Sequence, residues 1–431
     1  MKKILVFILA IIMVLSCAAC ATEKSPANNS TTSTPSTTEQ NNTTEPNKSD
    51  SPIGEVSLNT GNVDEQLISF LENEYKYADK NYVFSPLSFK YAVTLATYGA
   101  NGQTQAELLA AMGYKNMEEN TQWIKNFNKF VDEFAKTAQE ELEFEQKWNS
   151  QATDVKRKLI VGNSIWHNTD QKGTIKDSYM DYAKENFNAN AFNVKGSELT
   201  DKINEWVDKM TNGLIPKLFS TTQEDRNTIL INTLYLKSPW RNEFSENFVI
   251  RDFHGKESTK ETEFMKATAR YSYYNDKDST VVELPLEGGL TCAFVMGNSS
   301  NLSQKLEKAN GQRMNLLVPK FEIETALENK ELVAFLKEKG VNIAFDKQNA
   351  DFSNLIDGTE IHIEDIVQKA KFIANDKGVE AAAVTAIMMD VNESIDVEKT
   401  IDVTFDKPFK FFVYTSEGRE MLFCGNYCNV E

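Results

Sequence analysis

Only three histidines, His167, His254 and His362, occur among the 431 residues, and none stands in a setting that hydrolytic chemistry uses. There is no Gly-x-Ser-x-Gly elbow to expose a nucleophilic serine, and no His-Glu-x-x-His to hold a zinc ion beside its general base. His254 in Asp252-Phe253-His254 and His362 in Ile361-His362-Ile363 read as structural residues. Cysteine is scarce as well: Cys17, Cys20, Cys292, Cys424 and Cys428. Cys424 and Cys428 fall in a strand-like segment, which puts them on one face about 13 Å apart, too far to bond to each other. With no histidine near them in the sequence, a zinc site finds no support, and the three late cysteines read as buried free thiols. Positive charge is also short. The net charge is −17, and no basic patch is interleaved with aromatics, which excludes a nucleic-acid partner. The sequence calls for no metal or cofactor.

What is present begins with an export signal. Lys2 and Lys3 precede an apolar run from Ile4 to Leu15, too short to span a bilayer comfortably and placed where a signal peptide belongs. Residues 1–20 are therefore read as a signal segment. Its ending, Val14-Leu15-Ser16-Cys17, resembles a bacterial lipobox, which would make Cys17 the acylated residue, with Cys20 as the alternative and unlipidated cleavage as a third outcome. Residues 21–56 are a Ser/Thr/Asn/Pro-rich tether. From Thr22 to Pro52 no aromatic and no large aliphatic residue occurs, so no apolar burial offsets the entropy of ordering the chain. Such a coil spans about 30 Å on average and about 100 Å when taut. The implied location is outside the cell, either free or held to the membrane by a lipid.

Residues 57–431 read as one domain without repeats. Val63, Leu67, Phe70 and Leu71 recur with helical spacing. So do Ile203, Trp206, Val207 and Met210, followed by the Asn212-Gly213 stop, and Leu332, Phe335 and Leu336, followed by Gly340. Strand-like runs cover Lys158 to Trp166, Thr228 to Leu236, Thr280 to Leu284, Leu290 to Met296, Met314 to Ile323, Phe409 to Tyr414 and Glu420 to Tyr427. Helices early and strands late predict an α+β fold with mainly antiparallel sheets.

The most telling segment is Gly378-Val379-Glu380-Ala381-Ala382-Ala383-Val384-Thr385, continued by Ala386-Ile387-Met388-Met389. Alanine favours helix. As a strand, however, the segment alternates strictly: Val379, Ala381, Ala383 and Thr385 on one face, Glu380, Ala382 and Val384 on the other. The first face is small and uncharged, while the lone carboxylate on the other is expected to reach solvent.

This segment resembles the reactive-loop hinge of serpins, and the resemblance implies that its small face slides under a covering helix without overpacking. Other motifs resembling that family occur in its order: Asn81-Tyr82-Val83-Phe84-Ser85-Pro86-Leu87-Ser88, Gly99-Ala100-Asn101-Gly102, Ile203-Asn204-Glu205-Trp206-Val207, Ile231 to Lys237 with Trp240 and Phe244, Pro319-Lys320-Phe321, Ala350-Asp351-Phe352-Ser353, and Asp406-Lys407-Pro408-Phe409. The resemblance implies three mainly antiparallel sheets, eight or nine helices, and an exposed reactive-centre loop at about residues 376–403. It implies a monomer and no catalytic groups. The partners would be extracellular serine proteases, with cysteine proteases as a second class. Trp240, Lys320 and Asp376 would form the breach at the top of the large sheet. Ser85, Ser88 and Asn232 would form the hydrogen-bonded shutter under its centre, with Gln368 where the family usually has histidine. Counting from Asp376 as the family does puts the scissile bond at Asn392-Glu393, or one residue earlier at Val391-Asn392. No Arg or Lys lies between Gly378 and Glu398, which speaks against trypsin-like targets and for elastase-like or subtilisin-like ones. Val379 stands where the family usually has a hydroxyl residue, which keeps open a non-inhibitory relative acting as a surface binding or carrier module.

Overall fold

The computed structural model describes residues 56–357, 361–380 and 399–430, all within a compact unit that runs from Lys48 to Glu431. Among the described residues eight α-helices form: α1 (Val63–Glu74), α2 (Pro86–Gly99), α3 (Gly102–Ala111), α4 (Met117–Gln146), α5 (Asp177–Phe187), α6 (Gly196–Met210), α7 (Leu302–Lys308) and α8 (Glu331–Glu338). Their ends follow local chemistry. Asn62 caps α1 by accepting from the amides of Asp64 and Glu65, and Ser85 caps α2 with Pro86 as the first helical residue. Gly340, at a φ of 92°, closes the turn after α8, a conformation that costs a glycine little.

Among the described residues the strands form three sheets of nine, six and two members. The fold is the expected α+β arrangement with mainly antiparallel pairing. The six-stranded sheet contains β1 (Lys158–Asn168), β2 (Asn190–Val194), β3 (Thr228–Pro239), β4 (Phe321–Leu327), β5 (Asp365–Ala374) and the dipeptide β6 (Gly378–Val379), in the spatial order β4-β5-β6-β3-β1-β2. The nine-stranded sheet carries the C-terminal hairpin Phe409–Thr415 and Met421–Tyr427. Between the two large sheets lies the main core, to which α2, almost wholly buried, contributes its apolar side chains.

The run Met314 to Ile323, expected as one strand, is two. One strand ends at Pro319 in the nine-stranded sheet, and β4 starts at Phe321 in the six-stranded one, so Lys320 is the crossing point. Proline has no amide to continue a ladder, which is why the break falls there. The last strand stops at Tyr427, so Cys428 lies just outside the strand that carries Cys424; both are buried free thiols, as is Cys292.

A second apolar cluster explains the position of α6. Leu199, Ile203, Trp206 and Val207 of this helix pack on Trp166, Ile229, Ile231 and Val367, on the sheet face opposite the main core. Val379, by contrast, belongs to the main core. The face of the hinge strand that α6 shares is therefore that of Glu380, not that of Val379. The alternation expected beyond Val379 falls outside the described strand, and helix α6 lies on the side opposite Val379, not over it as expected.

Candidate functional site

The centre of the six-stranded sheet is parted. At one end β3 and β5 are paired directly and in parallel, with Ile229–Asn232 beside Asp365–Gln368, and the register between them stops there. From that point Thr233–Lys237 keep their partners in β1, and Lys369–Ile373 keep theirs in β4, but the two segments no longer pair with each other. At the other end β6 fills the space. Val379 pairs with Ala374 of β5 and Ser238 of β3, antiparallel to both, and Gly378 pairs with Pro239. The hinge is thus already seated two residues deep between the parted strands.

A tight turn seats it. The Asn375 side chain accepts from the amides of Lys377 and Gly378 at 2.9 and 3.2 Å, and the Asn375 amide donates to the Gly378 carbonyl at 3.0 Å. Gly378 is required by closeness: a Cβ there would lie 2.3 Å from the Ser238 carbonyl oxygen and 2.7 Å from Pro239 Cα. Trp240 holds the turn from below. It is 1% exposed, its indole N–H donates to the Asn375 carbonyl at 2.8 Å, and its amide donates to that of Lys377 at 3.0 Å. Lys320 Nζ lies 3.2 Å from the Asp376 carboxylate and 3.4 Å from that of Glu263. The structure therefore brings Trp240, Lys320 and Asp376 to one place, around Asn375, a residue the sequence analysis passed over although Asn-x-x-Gly is a turn signal.

The closed end carries a row of amides. Gln368 grips Ser85: the Ser85 amide donates to Gln368 Oε1 at 2.7 Å, and Gln368 Nε2 donates to the Ser85 carbonyl at 2.9 Å. Ser85 Oγ accepts from the Ser88 amide at 3.1 Å. Asn232 bonds instead to Asn163, its neighbour in β1. All five are at most 2% exposed, and Ser88 Oγ, Asn232 Oδ1, Asn163 Nδ2 and the adjacent Thr233 Oγ1 have no protein partner. Each such atom costs about 1–3 kcal/mol. Unsatisfied polarity is concentrated where the direct pairing of β3 with β5 ends.

Glu380 departs from expectation. Its φ is 46°, in the left-handed region, so the strand stops at Val379 and the side chain does not run out to solvent. The residue is half-buried; Oε2 is enclosed with no partner, and the carboxylate faces the Tyr235 hydroxyl. Burial pushes the Glu380 carboxyl up to about 7 and, with the Glu380 charge, raises Tyr235 as well. No local sequence signal points from Tyr235 to this partner.

Ala381, Ala382, Ala383, Val384 and Thr385 of the hinge, the bond positions Val391, Asn392 and Glu393, and the anchor candidates Cys17 and Cys20 lie outside the described residues. His167 is buried, bonded to Thr228 Oγ1 and the Gly173 carbonyl at 3.0 Å each, and burial lowers its pKa.

A family model described as Serpin (serine protease inhibitor) matches residues 66–430. The alpha-1-antiproteinase of Ovis aries is 27% identical over 368 residues, covering 81% of this chain and 82% of its own length. A serine protease inhibitor of Cyanea capillata is 26% identical over 382 residues, covering 82% and 93%. Among solved structures, Serpin48 of the insect Tenebrio molitor superposes with a TM-score of 0.68 at 23% identity, covering 86% of this chain and 97% of its own. Thyroxine-binding globulin in complex with thyroxine does so with a TM-score of 0.68 at 21% identity, covering 85% and 97%. At these identities the structural likeness speaks for the fold.

Proposed function

The chain belongs to the serpin family, whose members are generally protease inhibitors rather than enzymes, and on that premise we propose that it inhibits extracellular serine proteases as a suicide substrate. The observation that carries this reading is the parted sheet with its hinge dipeptide in place. A protease attacks the loop at Asn392-Glu393 or Val391-Asn392 and forms an acyl-enzyme. The severed loop then follows Val379 into the space between β3 and β5 and carries the protease with it. About fourteen inserted residues span about 45 Å. Each new ladder hydrogen bond contributes about 0.5–1.5 kcal/mol net, opposed by the entropy of ordering the loop. Serpin loop insertion as released strain is a known switching mode in proteins. Breach residues Trp240, Lys320 and Asp376 hold the opening in register, and the amide row at Asn163, Asn232 and Gln368 is the part that must yield. Elastase-like or subtilisin-like targets suit the loop sequence, and Cys17 or Cys20 with the tether would hold the domain at the cell surface, or release it if unlipidated.

The test is incubation of the chain with an elastase-like and a subtilisin-like protease. A complex stable to boiling, with a released peptide that starts at Asn392 or Glu393, supports the reading. Cleavage without a complex and without a gain in melting temperature sinks it. A binding or carrier role would then stand, a reading that Val379, in place of the family's usual hydroxyl residue, keeps open and that the thyroxine-binding neighbour illustrates.

A further inference from the structure

Continuing the ladder of β6 in register shows what Glu380 is doing. Val379 stands between Ser238 and Ala374, so position 380 falls opposite Lys237 and Ile373, and position 382 opposite Tyr235 and Lys371. Five positions, 380 to 384, fit before the direct pair Asn232–Gln368 blocks the way. Glu380 does not take its extended place. Its amide still donates to the Ile373 carbonyl at 2.9 Å, but its positive φ does not fit extended pairing at this position, and its carboxylate faces the Tyr235 hydroxyl. Tyr235 is the residue that position 382 must face. The carboxylate therefore occupies room that the next small side chain on this face needs.

We infer that Glu380 is the positioning residue that stops the hinge after two residues: its side chain, docked on Tyr235 and half-buried, plugs the slot that the following residues must use. Insertion requires it to leave Tyr235, straighten and swing to the open side of the sheet. The inference deepens the inhibitor reading and rests on it for its consequence.

The surroundings make this stop sensitive to charge. The groups that face the carboxylate are Tyr235 and Lys237 from β3, Lys371 from β5 and Lys158 from β1. The lysines are already engaged: Lys237 with Asp154 at 3.3 Å, Lys371 with Glu322 at 2.6 Å, and Lys158 with Asn212 Oδ1 at 3.0 Å. Asn212, just past α6, also donates to the Tyr235 hydroxyl at 3.4 Å. A negative charge at Glu380 is thus poorly compensated, and its pKa is pushed up to about 7. A carboxyl whose docked pKa exceeds its free value stabilises the docked state fully below the ordinary carboxylate range, and that stabilisation is lost as pH rises through about 7. The stop is firm in mild acid and loose in mild alkali.

The test needs no protease. Amide hydrogen exchange of the segment 372–380 is followed in the uncleaved full chain from about pH 5.5 to about pH 8.5, corrected for intrinsic exchange. Since one pKa unit corresponds to a tenfold change in an equilibrium, protection is expected to fall at least tenfold across that range. Glu380→Gln, isosteric and uncharged, is expected to stay protected with a flat profile; Glu380→Ala is expected to be weakly protected throughout. A Glu380→Gln profile that tracks the wild type, or Glu380→Ala as protected as the wild type in acid, overturns the inference. Complex formation with an elastase-like protease is scored separately. Its absence would remove the inhibitor reading, while the exchange data would still judge the stop on their own.

Discussion

The two large sheets are built to opposite standards. In the nine-stranded sheet, and between it and the edge strand β4 of the six-stranded one, aromatic rings interlock: Phe294 has Phe405, Phe409 and Phe321 at 5.7, 5.6 and 6.5 Å, and Phe321 of β4 has Phe411 and Tyr427 at 5.2 and 5.0 Å. Such contacts add about 0.5–1.5 kcal/mol per pair beyond burial. In the six-stranded sheet the central strands part, a glutamate sits in a left-handed conformation, and the row at Asn163, Asn232, Thr233 and Ser88 leaves buried polar atoms without protein partners. One region fixes the fold and the other, on the proposed inhibitor reading, keeps a better-paired state within reach. A molecule that must rearrange once, on cue, needs its weakness confined to the part that moves.

The largest expected effect attacks the firm side. Phe294→Ala removes a ring that is 0% exposed and should cost about 3–5 kcal/mol, read as a lower urea midpoint with an unchanged slope. A cost under about 1 kcal/mol would mean that the aromatic cluster is not what anchors the molecule.

Next comes the seated dipeptide. Val379→Arg places a charge where the side chain is 2% exposed against the main core, with no acid nearby in β6 to pair it. Complex yield with a protease that cuts the loop should fall at least tenfold, with cleavage itself continuing, since one pairing position has become about 1.4 kcal/mol or more worse. Undiminished complex would mean that insertion does not proceed through this position, and the contrast between the sheets would lose its functional meaning.

How much of this was legible depended on how local the cause was. The strands Lys158–Asn168 and Thr228–Pro239 announced themselves by apolar runs, and α6 by its stripe and the Asn212-Gly213 stop, because period and capping act over a few residues. Helix α4, 30 residues long, went unread since acidic and amide residues dominate it and its buried positions, Asn120, Ile124, Phe127, Phe134, Ala138 and Leu142, form a thin stripe. The grouping of Trp240, Lys320 and Asp376 came from family resemblance and not from pattern. The parted pairing of β3 and β5 depends on a register between residues far apart in sequence, and the turn of Glu380 onto Tyr235 contradicts the alternation around it. Strict alternation describes where the proposed insertion would take the hinge, whereas the structure shows, among the described residues, only Gly378 and Val379 of it in the sheet.

The amide row offers a smaller, signed effect. Asn232→Leu alone leaves Asn163 without its partner and should destabilise the uncleaved chain by about 1–3 kcal/mol. Asn163→Val together with Asn232→Leu removes both groups and their unpaired atoms, and should recover that loss or exceed it. Chemical melts of the three proteins measure the difference. The double variant should also gain less melting temperature on loop cleavage, because the uncleaved sheet starts from a better state. Additive losses in the double variant would show that the row stabilises the closed end, and the weak side of the comparison would have to be sought at Glu380 alone.

The smallest effect belongs to the ion pair beside the turn. Lys320 and Asp376 are 30% and 22% exposed and Glu263 is 47% exposed, so solvent screens the cluster, and Lys320→Ala should cost about 0.2–1 kcal/mol. In melting temperature that is about 1 °C or less, and the difference from the wild type should shrink in about 1 M salt, where screening acts within a few ångströms. The lysine also lies 5.2 Å from the Phe248 ring, itself 45% exposed, so a small salt-resistant remainder is expected from that contact. A loss well beyond 1 kcal/mol at high salt would have a different meaning. It would place Lys320 in the mechanics of the turn, holding Asp376 so that Asn375 and Gly378 present Val379 to the slot, and the boundary between the firm and the yielding region would then run through Lys320, where the chain crosses from one sheet to the other.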